Sequence, residues 1–544
     1  MRVHLTTEGT YPFVVGGVST WADLLVRGLE EREFFLTAVV DNPFHPLAFS
    51  PPRNVVLQPV PLWGSELVNE HLAVPGSWRR ALRTSSKEVR GRFLPCWEPF
   101  LDALAAREAS SAALGNALAG VAHFAERYDL RRALAHPAAW AALLAALRSN
   151  PLMARARCDG AIEFGRSLFR FLLPLCVPVP RCDVVHTSAA GLCALPAVVA
   201  KYRHGTPMLL TEHGIYLRER LMGLSALPLE TKLLQANFFR AVTELAYREA
   251  DLVTPVCGYN AAWEQSLGVE PERIRVVYNG ISRHDLASLA LPDGQGRPTV
   301  GYVGRIDPLK DVVTLIRAFA VVHAALPSAR LRLWGPPSST EYLGHCKDVA
   351  ERLGLWSHIP GANRPVSFEG RTDQPAAAYS ASDVVALSSV TEGFPYTVVE
   401  SMLAARPVVS TDVGGVAEAL AGISVVPGGD GREMLVEPGD PQALGRALLA
   451  VLGTPLAQRV AAGLALRQRA LERFDVGTFL EGYRQAYDDL APLRGGEPRN
   501  AVPWGSTVPE GAATPDGAGP VTVGVARAVG DIGSRPALAK ESAP

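Results

Sequence analysis

Two glutamates eight positions apart, Glu392 and Glu400, bracket the segment EGFPYTVVE. Pro395 fits the first turn of a helix, which would leave the backbone amides of Tyr396, Thr397 and Val398 pointing out of its amino end. Such an end attracts anions, and a diphosphate is the anion this pattern suits. Glu392 then falls in the loop before the helix, with Gly393 and Phe394, and Glu400 lies a turn or more inside it. The two carboxylates can accept hydroxyl hydrogen bonds from different parts of one ligand. Two unrelated glutamates, one solvated and one on a helix face, form the plainer alternative.

A carboxylate beside a diphosphate is repelled unless cations intervene. They stand upstream in GRIDPLK, as Arg305 and Lys310, directly after an expected strand over Thr299 to Val303. The carboxyl end of a strand in an open α/β sheet faces the ligand crevice. Arginine offers a planar fork there and lysine a point charge, a pairing suited to a leaving diphosphate. Gly16 and Gly17, after the first strand, would let backbone amides approach phosphate from the opposite side, although glycine serves many turns. The stretch lacks the GxGxxG spacing of a nicotinamide site. His213, in Thr211-Glu212-His213-Gly214 after a further strand, is either a sugar contact or a polar wall of the cleft. A lone histidine is more often structural.

These loops need strands to hold them. Short apolar runs at Arg2 to Thr6, Phe35 to Val40, Val55 to Pro59, Val184 to His186 and Met208 to Thr211 read as a first sheet. Ser19 to Arg32 reads as the first helix, with Ser19 as its N-cap. Leu331 to Trp334, Val366 to Glu369, Val384 to Leu387 and Val408 to Ser410 continue a second sheet from Thr299 to Val303. Alternation with helical segments predicts two parallel, doubly wound sheets. The linker is LPDGQGRP, residues 291–298, which divides a domain over 1–290 from one over 291–493. Residues 64–182 are rich in Ala, Leu and Arg, with helical spacing at Phe100 to Ala113 and Arg131 to Leu147. They read as a helical insertion in the first domain, scaffold rather than acceptor-shaping lid. Residues 494–544 have few large apolar groups and are expected to be disordered.

Composition narrows the class. The chain has 544 residues, a net charge of -1 and 20% charged residues, so no basic stripe points to nucleic acid. Seven cysteines without CxxC or Cys/His spacing read as reduced thiols. Neither 167–180 nor 184–200 makes a membrane span, and MRVHLTTEGTYPF has no apolar signal core. The expected location is cytoplasmic, with peripheral docking on a membrane complex left open.

Taken together, these residues resemble the retaining glycosyltransferases of family 4, which have the GT-B architecture of two Rossmann-like domains facing a deep cleft. Gly304 to Lys310 matches that family's GRxxxxK stretch, Glu392 to Glu400 its E-x7-E motif, and Gly414-Gly415-Val-Ala-Glu418 its GGxxE turn. TTEGTYPFVVGGVSTW, TEHGIYLRER and the long insertion are similar to the PelF group, associated with exopolysaccharide synthesis. The resemblance implies a UDP-hexose donor, UDP-glucose favoured, a saccharide acceptor, and no metal or other cofactor. It places Arg305 and Lys310 on the diphosphate, Glu400 on the ribose, Glu392 on the transferred sugar's hydroxyls and His213 near its reacting carbon. Gly17 would lie against the phosphates, and Gly370-Arg371-Thr372 resembles the loop lining the base pocket. Cys257 and Ser282 depart from the family's usual serine and aspartate.

No DxD pair stands in a strand-end loop, which agrees with a leaving group stabilised by Arg305, Lys310 and a helix end. A GT-B epimerase or phosphorylase, or a non-catalytic nucleotide-sugar-binding subunit, would share the sheets and remains an alternative.

Overall fold

The computed structural model describes residues 1–41, 46–62, 77–106, 110–149, 158–282, 284–359, 364–426 and 428–493. Residues 494–544, expected to be disordered, and parts of the 64–182 insertion lie outside the described residues.

The first sheet contains β1 (Arg2–Glu8), β2 (Glu33–Val40), β3 (Val55–Pro61), β4 (Val184–Thr187), β5 (Met208–Glu212) and β6 (Leu252–Pro255) in the order β3-β2-β1-β4-β5-β6. The second contains β7 (Thr299–Val303), β8 (Arg330–Trp334), β9 (Val366–Gly370), β10 (Val384–Leu387), β11 (Val408–Thr411) and β12 (Leu435–Val436) in the order β12-β11-β10-β7-β8-β9. Every pairing is parallel. Both sheets therefore have the doubly wound order in which the strand order reverses beside the first strand, between β1 and β4 and between β7 and β10. Ligand crevices open at the carboxyl ends of strands at such switch points. The central strands are apolar runs buried on both faces, VVHT, MLLTE and VVAL, as sheets covered by helices on both sides require.

The structure corrects several expected boundaries. The first helix is Gly17–Gly28 with Gly16 at its N-cap, and Ser19 is buried within it with its hydroxyl unpartnered. Phe100 to Ala113 is not one helix: Leu94–Ala105 ends before Ser111–Arg127 begins, with Ser110 as the cap. Arg131 to Leu147 breaks into Leu130–Leu134 and Pro137–Ser149, because Pro137 starts a new helix. Strands β6 and β12 were not anticipated.

The described helices of the insertion belong to the same core as the first sheet's own helices. Phe171 stacks on Phe238 at 5.1 Å, and Trp97 donates its indole N–H to the Ala139 carbonyl at 3.1 Å. That continuity favours scaffold over lid. The division at residues 290 and 291 is crossed in both directions. Val256, Cys257, Ile281 and Leu286 pack in the second sheet's core. The helix Val476–Leu490, late in the chain, packs on the first sheet: Tyr483 receives the Trp21 indole N–H at 3.1 Å, and the Tyr487 hydroxyl meets His186 Nδ1 at 2.7 Å. Among the described residues, no single helix is long and apolar enough to cross a membrane. Five of the seven free cysteines are buried, Cys158 is exposed and Cys176 is partly buried.

Candidate functional site

The two loops at the second sheet's switch point meet each other. After β7 the chain makes a 3-10 turn, Pro308–Lys310, capped by Asp307, whose carboxylate accepts the Leu309 N–H at 2.9 Å. Asp311 then takes a left-handed conformation, φ 43°, and caps the helix Val312–Ala325. This tight turn aims Lys310 at the loop after β10, where its Nζ lies 2.5 Å from Glu392 Oε1. The Ser389 hydroxyl donates to the same oxygen at 2.6 Å. Backbone bonds tie the loops as well, from the Val390 N–H to the Leu309 carbonyl at 2.8 Å and from the Ser388 hydroxyl to the Lys310 carbonyl at 2.8 Å. The side chains of Lys310 and Glu392 are only 29% and 10% exposed, so the pair is better shielded from salt than a surface one.

Arg305 is half-exposed, with its guanidinium 3.3 Å from Asp307. Beyond Glu392 the helix runs Tyr396–Leu403 with Pro395 as its N-cap, one position outside the expected place. Val398 N–H bonds to the Pro395 carbonyl at 3.1 Å. The amides of Tyr396 and Thr397 therefore form the helix tip, rather than the three expected. The Thr397 hydroxyl donates to the Val303 carbonyl at 2.9 Å, which fixes the tip above β7. Glu400 lies inside the helix, where the Tyr379 hydroxyl donates to it at 2.6 Å.

The first sheet faces this cluster. A β-carbon on Gly393 would sit 1.7 Å from the His213 carbonyl oxygen, so only glycine permits that approach between the two halves. Gly414, at φ 56°, has the same relation to the Gly393 carbonyl, at 2.2 Å, and the Gly415 N–H bonds to that carbonyl at 2.7 Å. Across the cleft, a β-carbon on Gly17 would lie 3.5 Å from the Tyr396 ring, while Gly16 faces open space. The Tyr396 hydroxyl is buried without a partner. His213 packs edge-on against Trp21 at 4.6 Å, its Nε2 is enclosed and unpartnered, and burial lowers its pKa to about 3. The imidazole is thus neutral at pH 7, able to form a hydrogen bond but carrying no charge.

The structure brings together His213, Lys310, Glu392, Gly393, Phe394, Pro395, Tyr396, Thr397 and Gly17 at the interface. Glu400 stands one side of that group with Tyr379. Arg371 lies after the edge strand β9, exposed, 3.4 Å from Asp373. Sequence reasoning passed over Ser389, Tyr379 and Asn279. The Asn279 amide donates to the Phe394 carbonyl at 3.0 Å. Ser389 had a signal, standing three residues before Glu392; the other two act from distant positions. Cys257, noted as a departure, lies at the start of the helix Gly258–Ser266 with its sulfur 3.5 Å from the Gly393 carbonyl.

Comparison with known proteins adds an independent line. Residues 1–272 match a family described as a domain of unknown function (DUF3492), and residues 297–454 match "Glycosyl transferases group 1". A D-inositol 3-phosphate glycosyltransferase of Kineococcus radiotolerans is 34% identical over 254 residues, which cover 43% of this chain and 56% of that relative. The chain thus spans about half the length of this curated relative. Among solved structures, Anabaena Alr3699/HepE in complex with UDP aligns with 90% of this chain and 100% of its own, at 17% identity and TM-score 0.52. The sucrose-phosphate synthase of Thermosynechococcus elongatus covers 90% of this chain and 99% of its own at 16% identity and TM-score 0.53. At these identities the likeness is one of fold, and the fold is GT-B.

Proposed function

We propose, for a chain that belongs to the DUF3492 family and continues into a glycosyl transferases group 1 domain, that it is a retaining glycosyltransferase moving a hexose from a UDP-sugar to a saccharide acceptor. The observation that carries this reading is the contact of Lys310 with Glu392 beside the tip of the helix Tyr396–Leu403. One ammonium has three N–H donors, so Lys310 can hold Glu392 and a donor phosphate together. Arg305 and the amides of Tyr396 and Thr397 add charge where the leaving diphosphate gains it. Glu392 then accepts hydroxyl hydrogen bonds from the hexose, Glu400 from the ribose, and His213 offers its unpartnered nitrogen to the sugar near the reacting carbon. Gly16 and Gly17 close over the phosphates from the first sheet, and Arg371 borders the base.

In the reaction the bond from the anomeric carbon to the phosphate oxygen breaks and a bond to the acceptor oxygen forms on the same face. The acceptor proton passes to the departing phosphate oxygen, which the cations hold nearby. UDP-glucose is the favoured donor and exopolysaccharide assembly the favoured setting, with the enzyme cytoplasmic and docked peripherally on a membrane complex. Neither a metal nor another cofactor has a part in this scheme, so turnover is expected to persist in EDTA.

The test is to incubate the purified protein with UDP-, GDP- and ADP-sugars, with and without a saccharide acceptor, and to measure free nucleoside diphosphate and the product anomer. Acceptor-dependent UDP release with a retained anomer supports the reading. An inverted anomer removes the front-face step, and turnover that needs no sugar acceptor indicates an epimerase or phosphorylase.

A further inference from the structure

A cavity of about 280 Å³ opens at the carboxyl ends of β1, β4 and β5, next to His213, and is lined by Glu8, Ser188, Glu212, His213, Glu219 and Arg220 among others. It approaches the size of small-molecule pockets, about 300–1,000 Å³. Its position puts it on the first-sheet side of the place where Gly393 touches the His213 carbonyl.

The charges around this cavity are mostly committed to one another. Arg220 donates to Glu8 Oε1, which also receives the Tyr216 hydroxyl at 3.0 Å, and its guanidinium lies over the Tyr216 ring at 5.0 Å. Glu8 Oε2 accepts the Cys193 N–H at 3.3 Å. Glu212 is fully buried, with its oxygens accepting the Tyr216 and Ala190 N–H groups at 2.9 Å each. Burial raises its pKa to about 8, so it is mostly neutral at pH 7. Two further cations stand outside the lining: Arg218 donates to the neutral Tyr259 hydroxyl at 3.3 Å, and Lys310 is on Glu392. Glu219 is different. It is exposed at the mouth, packs over Gly214, and makes no hydrogen bond or salt bridge with another described side chain. The cleft walls and then the Glu392 carboxylate raise its pKa, while Arg220, Lys310 and Arg218 oppose that rise.

A phosphate-bearing ligand placed here would meet the Glu219 carboxylate at the mouth, while the lining guanidinium, Arg220, is already paired with Glu8. Like charge at short range and unpaired polar groups both count strongly against a ligand. A neutral sugar meets the opposite: its hydroxyls can donate to the Glu219 oxygens, and Val18, Ala189 and the Tyr216 ring line the cavity beside them. We infer that this cavity takes the acceptor as an uncharged, hydroxyl-rich sugar, that Glu219 is its specificity-determining contact, and that sugar phosphates are excluded. The inference rests on the reading of the protein as a sugar transferase.

The experiment is saturation-transfer NMR on the full chain in the presence of UDP, with neutral oligosaccharides and with the same sugars phosphorylated, inositol phosphate included. The expected result is ring-proton contact for neutral sugars and none for the phosphates. Glu219→Lys should weaken the neutral contact at least tenfold and admit the phosphates, while calorimetry shows UDP still bound. Phosphorylated sugars binding as well as neutral ones, or neither class binding to protein that holds UDP, overturns the inference and leaves the donor reading standing. Failure of the wild-type chain to bind any nucleoside diphosphate overturns both.

Discussion

Glu418 accepts two backbone N–H groups from the far side of the cleft, Gly258 at 2.9 Å and Tyr259 at 2.7 Å. It stands on the helix Val416–Leu420 after β11, and the amides it binds open the helix that follows β6. The Tyr278 hydroxyl adds a third contact at 3.1 Å. A carboxylate at a helix amino end satisfies orphan donors and complements the dipole. Here it does so between the two halves, so the GGxxE turn serves as a clamp beside the site.

Replacing Glu418 with alanine should therefore lower stability by about 2–3 kcal/mol, since a charge-assisted contact and a helix cap are lost together. Glutamine keeps one acceptor and should recover part of that loss. Urea denaturation of the two variants against the parent chain measures it. Equal midpoints for all three would mean the clamp carries no stability.

The cations make a sharper prediction. Lys310→Ala removes the ammonium that holds Glu392 and faces the leaving group. Turnover should fall by roughly 10²–10³, the scale set by losing one preorganised donor. Glu392 keeps the Ser389 hydroxyl, so the fold should hold, and circular dichroism before the assay checks that. Unchanged UDP release from the variant would place Lys310 outside the chemistry.

Two glycines separate packing from chemistry. Gly393→Ala puts a carbon 1.7 Å from the His213 carbonyl oxygen, and the halves must part to admit it. Stability should drop by about 1–3 kcal/mol, as overpacking does, and activity should fall with it. Gly16→Ala meets nothing within 4 Å at an extended φ of 179° and should leave the melting temperature unchanged. If Gly16 approaches the phosphates as proposed, the KM for donor rises without loss of stability. A Gly16 variant with an unaltered KM would remove that residue from the donor site.

What could be read in the sequence was local, and what escaped was not. Lys310 and Glu392 each follow a strand within a few residues, so strand and loop chemistry point to them together. The contact between them joins neighbouring strands, which the doubly wound order supplies. Glu418 reaches Gly258 across 160 positions and Asn279 reaches Phe394 across 115, and no spacing along the chain encodes either. Strand β12, of two residues, is too short to declare a period, and β6, LVTP, ends on a proline, which reads as a boundary. Ser19 had the chemistry of an N-cap, but the glycine loop already begins the helix at Gly17, which leaves Ser19 facing the core.

The last prediction concerns pH. Glu264, on the helix that Glu418 caps, is fully buried, neither carboxylate oxygen has a partner, and burial, then the neighbouring Glu212, raises its pKa to about 9. Glu212 stands at about 8, again mainly through burial. In the unfolded chain both acids titrate near about 4.3. Between that value and their folded values the native state binds more protons than the unfolded state, so stability declines as pH rises, by up to about 1.4 kcal/mol per pH unit for each acid. It is fully present below the unfolded pKa. Glu264→Gln keeps the shape and removes one titration, so the slope of stability against pH from 5 to 9 should become shallower and the variant should be the more stable form at pH 9. Urea unfolding at each pH, followed by tryptophan fluorescence, decides it, and parallel pH curves for the two proteins would show that Glu264 is charged in the folded state.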